Sequence, residues 1–509
     1  MSPVRFLLIV ALAITLPAAA IAQPRQGRSG AQQQPPQQQQ QTERRETGPG
    51  ILRLLPPDSV TEHSIDLASG GKLSYTATAG TLPLYDQSGD RSAAVFYTAY
   101  VAKNADGAQR PVTFAFNGGP GAASAYLHLG LVGPKILQFG DRNDAATAQL
   151  RDNPQTWVEF TDLVLIDPVG TGWSRAAKSD GGNAFFGVRQ DAEFFAKVIA
   201  LYINNNARSA SPKYLLGESY GGFRAAKVAR ALQQDQGIFI NGIVMVSPMI
   251  ESTFTFGGDR FPLGAALHLP SLAAAELERT KSMSKEALAE AERFAMNEYL
   301  TTLAGPAPKG DAARAFYARV AKMTGVSEEA VTKSRGFLRD TGLKQLRSAD
   351  GLVASRYDGS FALDDPFPES SSGGPDPVLD GFTRAYAGAL VGYAREQLGF
   401  KTEMTYILLA RDISGKWEWG QRGNASASDD LRILLAFNPS FRLLIAHGSS
   451  DLVTPYMASR YVLDHLPPIE GDRAQLRLYS GGHMFYVADQ PRKRFTDDMR
   501  AFFGSGNRS

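Results

Sequence analysis

The chain has no cysteine among its 509 residues. That excludes disulfides, a thiol nucleophile, a cysteine metal site and a lipid-bearing N-terminal cysteine. Histidine is nearly as scarce: His63, His128, His268, His447, His465 and His483 are the only six. Any chemistry that needs an imidazole base must use one of them. The HExxH zinc pattern and a Walker-type phosphate loop are both missing, so no metal or organic cofactor is implied. Net charge is only +2, too little to draw the protein to nucleic acid or to an anionic membrane. After the first residues, no apolar run approaches the roughly 20 residues that span a bilayer.

The N-terminus has a recognisable design. Arg5 precedes an apolar stretch over residues 6–16, and Ala20-Ile21-Ala22 makes an A-x-A cleavage site. Residues 1–22 therefore read as a secretory signal, leaving no membrane span after cleavage. Residues 23–50 are rich in Gln and Pro, with QQQPPQQQQQ at 32–41. They lack apolar groups to bury and read as a disordered tether. An exported chain without disulfides is expected to be a bacterial periplasmic or secreted protein.

The whole chain is 43% hydrophobic and 20% charged, a globular composition. Residues 73–78, 95–101, 112–116, 162–166, 213–216 and 243–246 predict strands, and 187–203 a helix between them. That alternation predicts an α/β fold with a mostly parallel sheet. From 274 to 342 the pattern changes to successive helices, with Ser284 and Ser327 as expected N-caps. Strands resume at 442–446 and 475–479. The expected layout is a core over 51–251 and 401–509, interrupted by a mainly helical cap over 252–400.

The run GESYGG at 217–222 fits the G-x-S-x-G elbow, a strand-to-helix turn that presents a serine at its tip. By itself it would also fit a structural turn. Ser219 needs a base, and the base needs a carboxylate to orient it. His483, in GGHMFY after the last strand, stands where such a fold places its base. His128 and His447 also lie near suggestive loops, while His465 reads as a residue of an amphipathic helix. Asp451, just after strand 442–446, falls in the order Ser…Asp…His; a solvated turn would place an aspartate there too. An oxyanion hole would use the backbone N–H of Tyr220 and a second donor from NGGPG at 117–121, where Gly119 is suited to supply it. A plain tight turn has the same glycines.

Together, FNGGPG (116–121), LIDPVGTGWS (165–174), GESYGG (217–222), GSSD (448–451), GGHM (481–484) and DQP (489–491) resemble the serine carboxypeptidase family. The resemblance covers roughly 110–250 and 400–490. It implies an α/β-hydrolase fold, a triad of Ser219, Asp451 and His483, and an oxyanion hole of Gly119 and Tyr220. It also implies that Glu218 and Asn117 bind the C-terminal carboxylate of a peptide substrate, with best activity at acidic pH. Two departures stand out. Ala122 replaces a family cysteine, and Leu131 stands where a second carboxylate-binding glutamate is expected before Gly133-Pro134. Met484 matches a family methionine beside the leaving-group site. The expected activity is release of C-terminal residues through an acyl-enzyme on Ser219. The alternatives are an esterase or acyltransferase on the same scaffold, which needs no carboxylate clamp, and a binding protein that keeps the fold.

Overall fold

The computed structural model describes residues 50–103, 109–140, 144–338, 344, 346–370, 374–420, 425–468 and 471–504. The chain divides into units 1–45 and 46–509, and the described residues all belong to the second. The expected signal, and all of the expected tether but Gly50, lie outside them.

The strands are β1 (Ser59–Asp66), β2 (Lys72–Tyr85), β3 (Arg91–Ala102), β4 (Val112–Phe116), β5 (Lys135–Gln138), β6 (Gln149–Asp152), β7 (Asp162–Ile166), β8 (Arg175–Ala176), β9 (Lys213–Glu218), β10 (Gly242–Val246), β11 (Leu352–Ala354), β12 (Ala362–Asp364), β13 (Arg442–Gly448) and β14 (Ala474–Tyr479). One ten-stranded sheet runs β1-β2-β3-β7-β4-β9-β10-β13-β14, with β8 on β3. From β7 to β14 every pairing is parallel; the pairings among β1, β2, β3, β7 and β8 are antiparallel. Strands β4, β7, β9 and β10 are buried along their whole length. That is why they read as mainly apolar runs rather than alternating ones.

The longer helices are α1 (Val188–Asn205), α2 (Tyr220–Asp235), α3 (Pro262–Arg279), α4 (Lys285–Phe294), α5 (Gly310–Thr324), α6 (Leu379–Glu396), α7 (Ser428–Phe437), α8 (Tyr456–Asp464) and α9 (Asp489–Gly504). Successive strand residues point to opposite faces of the sheet. Val95, Leu215, Ile243 and Ile445 pack with α1, α2 and α7. Phe96, Leu216, Val244 and Leu444 pack with α6 and α9. The result is a helix–sheet–helix sandwich, the α/β-hydrolase architecture.

The stretch between β10 and β13 is not uniform. Helices α3 and α5 share a separate apolar cluster around Leu269, Phe294, Phe316 and Val320. Helix α6, inside the range expected as a cap, packs instead on the main sheet. Phe382, Tyr386, Leu390 and Tyr393 form one apolar stripe at helical spacing and join the cluster of Phe96 and Leu216. The two expected caps form: Ser284 Oγ accepts the Ala287 N–H at 3.1 Å, and Ser327 Oγ accepts the Ala330 N–H at 3.2 Å. His465 falls just beyond α8, stacked on Tyr461. Among the described residues no helix is long and apolar enough to cross a membrane.

Strand β4 lies between β7 and β9, the next two strands in the parallel run. The chain thus turns one way from β4 and then crosses back to the other side. Such a switch point opens a crevice at the carboxyl ends of the strands, where α/β proteins bind ligands. NGGPG leaves the end of β4, and Ser219 leaves the end of β9.

Candidate active site

Ser219 joins β9 to α2 with φ 61° and ψ −126°. A non-glycine residue at positive φ stores strain and persists only where its surroundings hold it. They do so here. The Ser219 N–H donates to the Val246 carbonyl at 2.9 Å, and the Ser219 carbonyl accepts the Met249 N–H at 3.2 Å. A Cβ on Gly217 would lie 1.9 Å from the Gly221 oxygen, and one on Gly118 would lie 2.6 Å from the amide nitrogens of Tyr220 and Gly221. Both glycines are needed because the elbow and the NGGPG loop press backbone against backbone. Tyr220 opens α2, so its N–H has no partner within the helix. Gly119 follows from β4 on the same side, and both residues line the cavity that Ser219 enters.

The loops after β13 and β14 bring Asp451 and His483 together. Asp451 Oδ2 lies 2.8 Å from His483 Nδ1, and both residues are buried. Asp451 Oδ1 accepts the N–H groups of Val453 at 2.8 Å and Thr454 at 3.0 Å. Oδ2 also accepts the Thr454 hydroxyl at 2.7 Å. Thr454 had no sequence signal, yet its N–H and hydroxyl hold both carboxylate oxygens of Asp451. Burial pushes Asp451 up, but the His483 charge and these hydrogen bonds outweigh it and hold the carboxyl below its ordinary range. Burial pulls His483 down, but Asp451 outweighs it and the imidazole ends above its ordinary value. With Nδ1–H directed to Asp451, Nε2 is left as the proton acceptor.

The other histidines are accounted for. His128 Nε2 lies 2.6 Å from the Tyr100 hydroxyl, and burial pulls its imidazole down to about 3. His447 Nε2 lies 2.8 Å from the Ser459 hydroxyl, and burial pulls that ring to about 4. His63 stacks on Tyr75 at the sheet edge, and His268 reaches the Phe254 carbonyl. His483 is hydrogen-bonded to the carboxylate of Asp451.

Glu218, one residue before Ser219, is 4% exposed. Its Oε2 accepts Asn117 Nδ2 at 2.8 Å and the Tyr486 hydroxyl at 2.6 Å. Burial raises its pKa, opposed by the charge of His483 and by these two donors. Asn117 is held from two sides: its Oδ1 accepts the Leu127 N–H at 3.0 Å, and its carbonyl accepts Arg224 Nη1. Leu131 is fully buried in the main core, so the missing glutamate leaves packing behind, and a phenol from GGHMFY supplies the group beside Glu218. Tyr486 was missed because an aromatic after a histidine reads as core.

Arg224 forms an ion pair with Asp191 at 2.7 Å, and both side chains are inaccessible. Burial raises Asp191, opposed by the Arg224 charge. Asp191→Asn would strand that guanidinium in the core. The expected cost is about 3–5 kcal/mol of stability, read by urea denaturation. A loss below about 1 kcal/mol would mean the pair does not secure the loop.

Ser219, Glu218, Asn117, Gly119 and His483 all line one cavity of about 260 Å³, walled by Tyr126, Phe256, Trp419 and Met484 among others. Fold and site together define a serine hydrolase of the α/β-hydrolase class. The serine carboxypeptidase family model matches residues 73–483, and the chain belongs to that family. Comparison with curated proteins finds no match. Among solved structures the chain is similar to a proline iminopeptidase of Mycobacterium smegmatis, at 16% identity and TM-score 0.38, covering 84% of this chain and 98% of that one. It is also similar to a carboxyl esterase of Bacillus coagulans, at 13% identity and TM-score 0.33, covering 88% and 98%. A third is a monoglyceride lipase of Saccharomyces cerevisiae, at 12% identity and TM-score 0.36, covering 84% and 96%.

Proposed function

We propose that this protein removes C-terminal residues from peptides. Ser219 Oγ attacks the scissile carbonyl carbon while His483 Nε2 takes its proton. The oxyanion is held by the N–H groups of Gly119 and Tyr220, each such donor contributing about 3–4 kcal/mol to the transition state. The amine of the last residue leaves with the proton from His483. Water then attacks the acyl-enzyme by the same route and frees the shortened peptide acid and Ser219.

The observation that carries the exopeptidase reading is the Glu218–Asn117–Tyr486 cluster beside Ser219. A protonated Glu218 can donate to a terminal carboxylate, while an ionised one would repel it. Because burial raises the Glu218 pKa, the donor form extends to higher pH than for an ordinary glutamate. It is lost as pH rises through that raised value. His483 must instead be neutral, and it becomes so as pH rises through its own raised pKa. The reactive form therefore carries the proton on Glu218 and not on His483. The expected profile of kcat/KM is a bell for free-acid peptides and a rising limb for esters.

Glu218→Gln separates the two limbs. The falling limb should vanish. For the ester, whose turnover does not need Glu218 protonated, the rising limb should move to lower pH, because the charge of an ionised Glu218, which raises His483, is gone. KM for a free-acid peptide should rise about tenfold at acidic pH, one charge-assisted bond being exchanged for a weaker one. An N-blocked dipeptide and its C-terminal amide, assayed from acidic to neutral pH, check this. Equal cleavage of both, or an unchanged profile in the variant, would remove Glu218 from the role.

An esterase or acyltransferase is the second reading. It is favoured by Leu131, which leaves one glutamate where the family pattern has two. Serine-dependent ester cleavage, with both peptides untouched, would establish it.

A further inference from the structure

The loops that hold Asp451 and His483 are tied to the sheet on one side through β13 and β14. On the other side they are tied to the turn of the β11–β12 hairpin, residues 355–361. The Leu452 N–H donates to the Arg356 carbonyl at 3.2 Å, next to Asp451. The His483 N–H donates to the Tyr357 carbonyl at 2.5 Å, and the Gly359 N–H donates to the Ser450 carbonyl at 3.0 Å. The Ser450 hydroxyl donates to Asp358 Oδ1 at 2.8 Å. The Tyr357 ring stands edge-on to the His483 imidazole, 5.2 Å between centroids and 88° between planes, and it lines the cavity. The approach is close enough that a Cβ on Gly482 would lie 2.0 Å from the Tyr357 oxygen.

The hairpin turn is itself anchored. Asp376 accepts the Ser355 hydroxyl at 2.7 Å and the Arg356 N–H at 2.8 Å. Asp358 Oδ1 accepts the N–H and hydroxyl of Ser360 at 3.0 and 2.6 Å. Desolvation pushes the Asp358 carboxyl up to about 6, with the Ser360 and Ser450 hydroxyls pulling it down. It is therefore charged, and a strong acceptor, at neutral pH. A second carboxylate at the end of α3 acts in the same sense. Glu278 Oε1 accepts the hydroxyls of Ser449 at 2.8 Å and Ser480 at 3.3 Å, and the Gly481 N–H at 3.3 Å. Both loops are thus joined to the inserted region by hydrogen bonds, not merely covered by it.

We propose that the 355–361 turn is a positioning element for the acid–base pair, with Asp358 of the turn and its partner Ser450 on the Asp451 loop as the positioning residues and the Tyr357 carbonyl as the register for the His483 backbone. A loop fixed at one end swings. A catalytic group must stay within roughly 0.5 Å of its working geometry, and a displacement of 1 Å costs about a hundredfold in rate. The proposal rests on the Ser219–Asp451–His483 reading above, but not on the preference for free C-termini.

The test uses the full chain and a small uncharged ester at neutral pH, so that the carboxylate cluster is not involved. Asp358→Ala should lower kcat between about tenfold and a hundredfold, with KM within about twofold and a parallel fall in the rate of serine phosphonylation. Asp358→Asn keeps an Oδ1 acceptor and should recover most of the rate. Ser450→Ala should show a smaller kcat loss of the same kind. If Asp358→Ala does not fold, Ser450→Ala against Asp358→Asn makes the same comparison. A kcat within twofold of the parent in folded Asp358→Ala or Ser450→Ala overturns the proposal, as does a loss confined to KM. Ser219→Ala is run beside them. Its inactivity, with the other variants unimpaired, defeats the positioning role alone. Its retained activity defeats the triad and with it this proposal.

Discussion

Ser219→Ala is expected to lower kcat by about a million-fold on any substrate the enzyme cleaves, with KM nearly unchanged. In the proposed mechanism the Ser219 hydroxyl forms the acyl bond. The alanine variant keeps the strained elbow, the glycine contacts and the donors at Gly119 and Tyr220, so binding survives. Its residual rate over water would come from those donors and from orientation. Steady-state kinetics on the ester and on the dipeptide checks the size of the effect, and failure to react with a serine-directed phosphonate checks its cause. A residual rate above about one part in a thousand would mean that Ser219 is not the nucleophile.

Asp451→Asn should cost about ten-thousand-fold in kcat while the fold is kept. The hydrogen-bond geometry shows why so small a change is severe. Oδ1 of Asp451 faces two N–H groups, and Oδ2 faces the Thr454 hydroxyl and His483 Nδ1. An amide has one acceptor end. If its NH₂ faces the loop, it meets the two backbone donors of Val453 and Thr454. If it faces the histidine, Nδ1 must accept, the ring proton moves to Nε2, and His483 can no longer take the serine proton. The charge that raises His483 is lost as well, so what activity remains should begin its rise at lower pH. A variant with more than about a tenth of the parent kcat would show that Asp451 is not the orienting group.

The parallel core was largely legible beforehand. Strands 112–116 and 162–166 appear with the expected ends, and 442–446 extends by two residues to Gly448. Each is a short run dominated by apolar residues, as a strand covered on both faces should be. The insertion was less legible. Helix α6 has the same amphipathic pattern as its neighbours, and periodicity says only that one face is buried, not against what. Its stripe of Phe382, Tyr386, Leu390 and Tyr393 belongs to the sheet, not to a cap core.

The site divides in the same way. Ser219, Asp451 and His483 could be picked out from one chain because their surroundings are local: a glycine-bounded turn, a strand end, a scarce residue type. Glycine at 118 and 217 is likewise demanded by backbone approach within short motifs. The partners that tune and hold these residues left no such mark. Tyr486 lies 268 residues from Glu218, and Asp358 lies 92 from Ser450. A tyrosine or aspartate is ordinary in either place until the chain is folded. Sequence by itself determined the parallel sheet, the elbow that carries Ser219 and the strand-end places of Asp451 and His483, because those follow from backbone geometry and burial over a few residues. Only the tertiary structure decided what stands beside Glu218 in place of a second carboxylate, and which loop steadies the acid and base. Those outcomes depend on hydrogen bonds closed between segments that nothing local brings together.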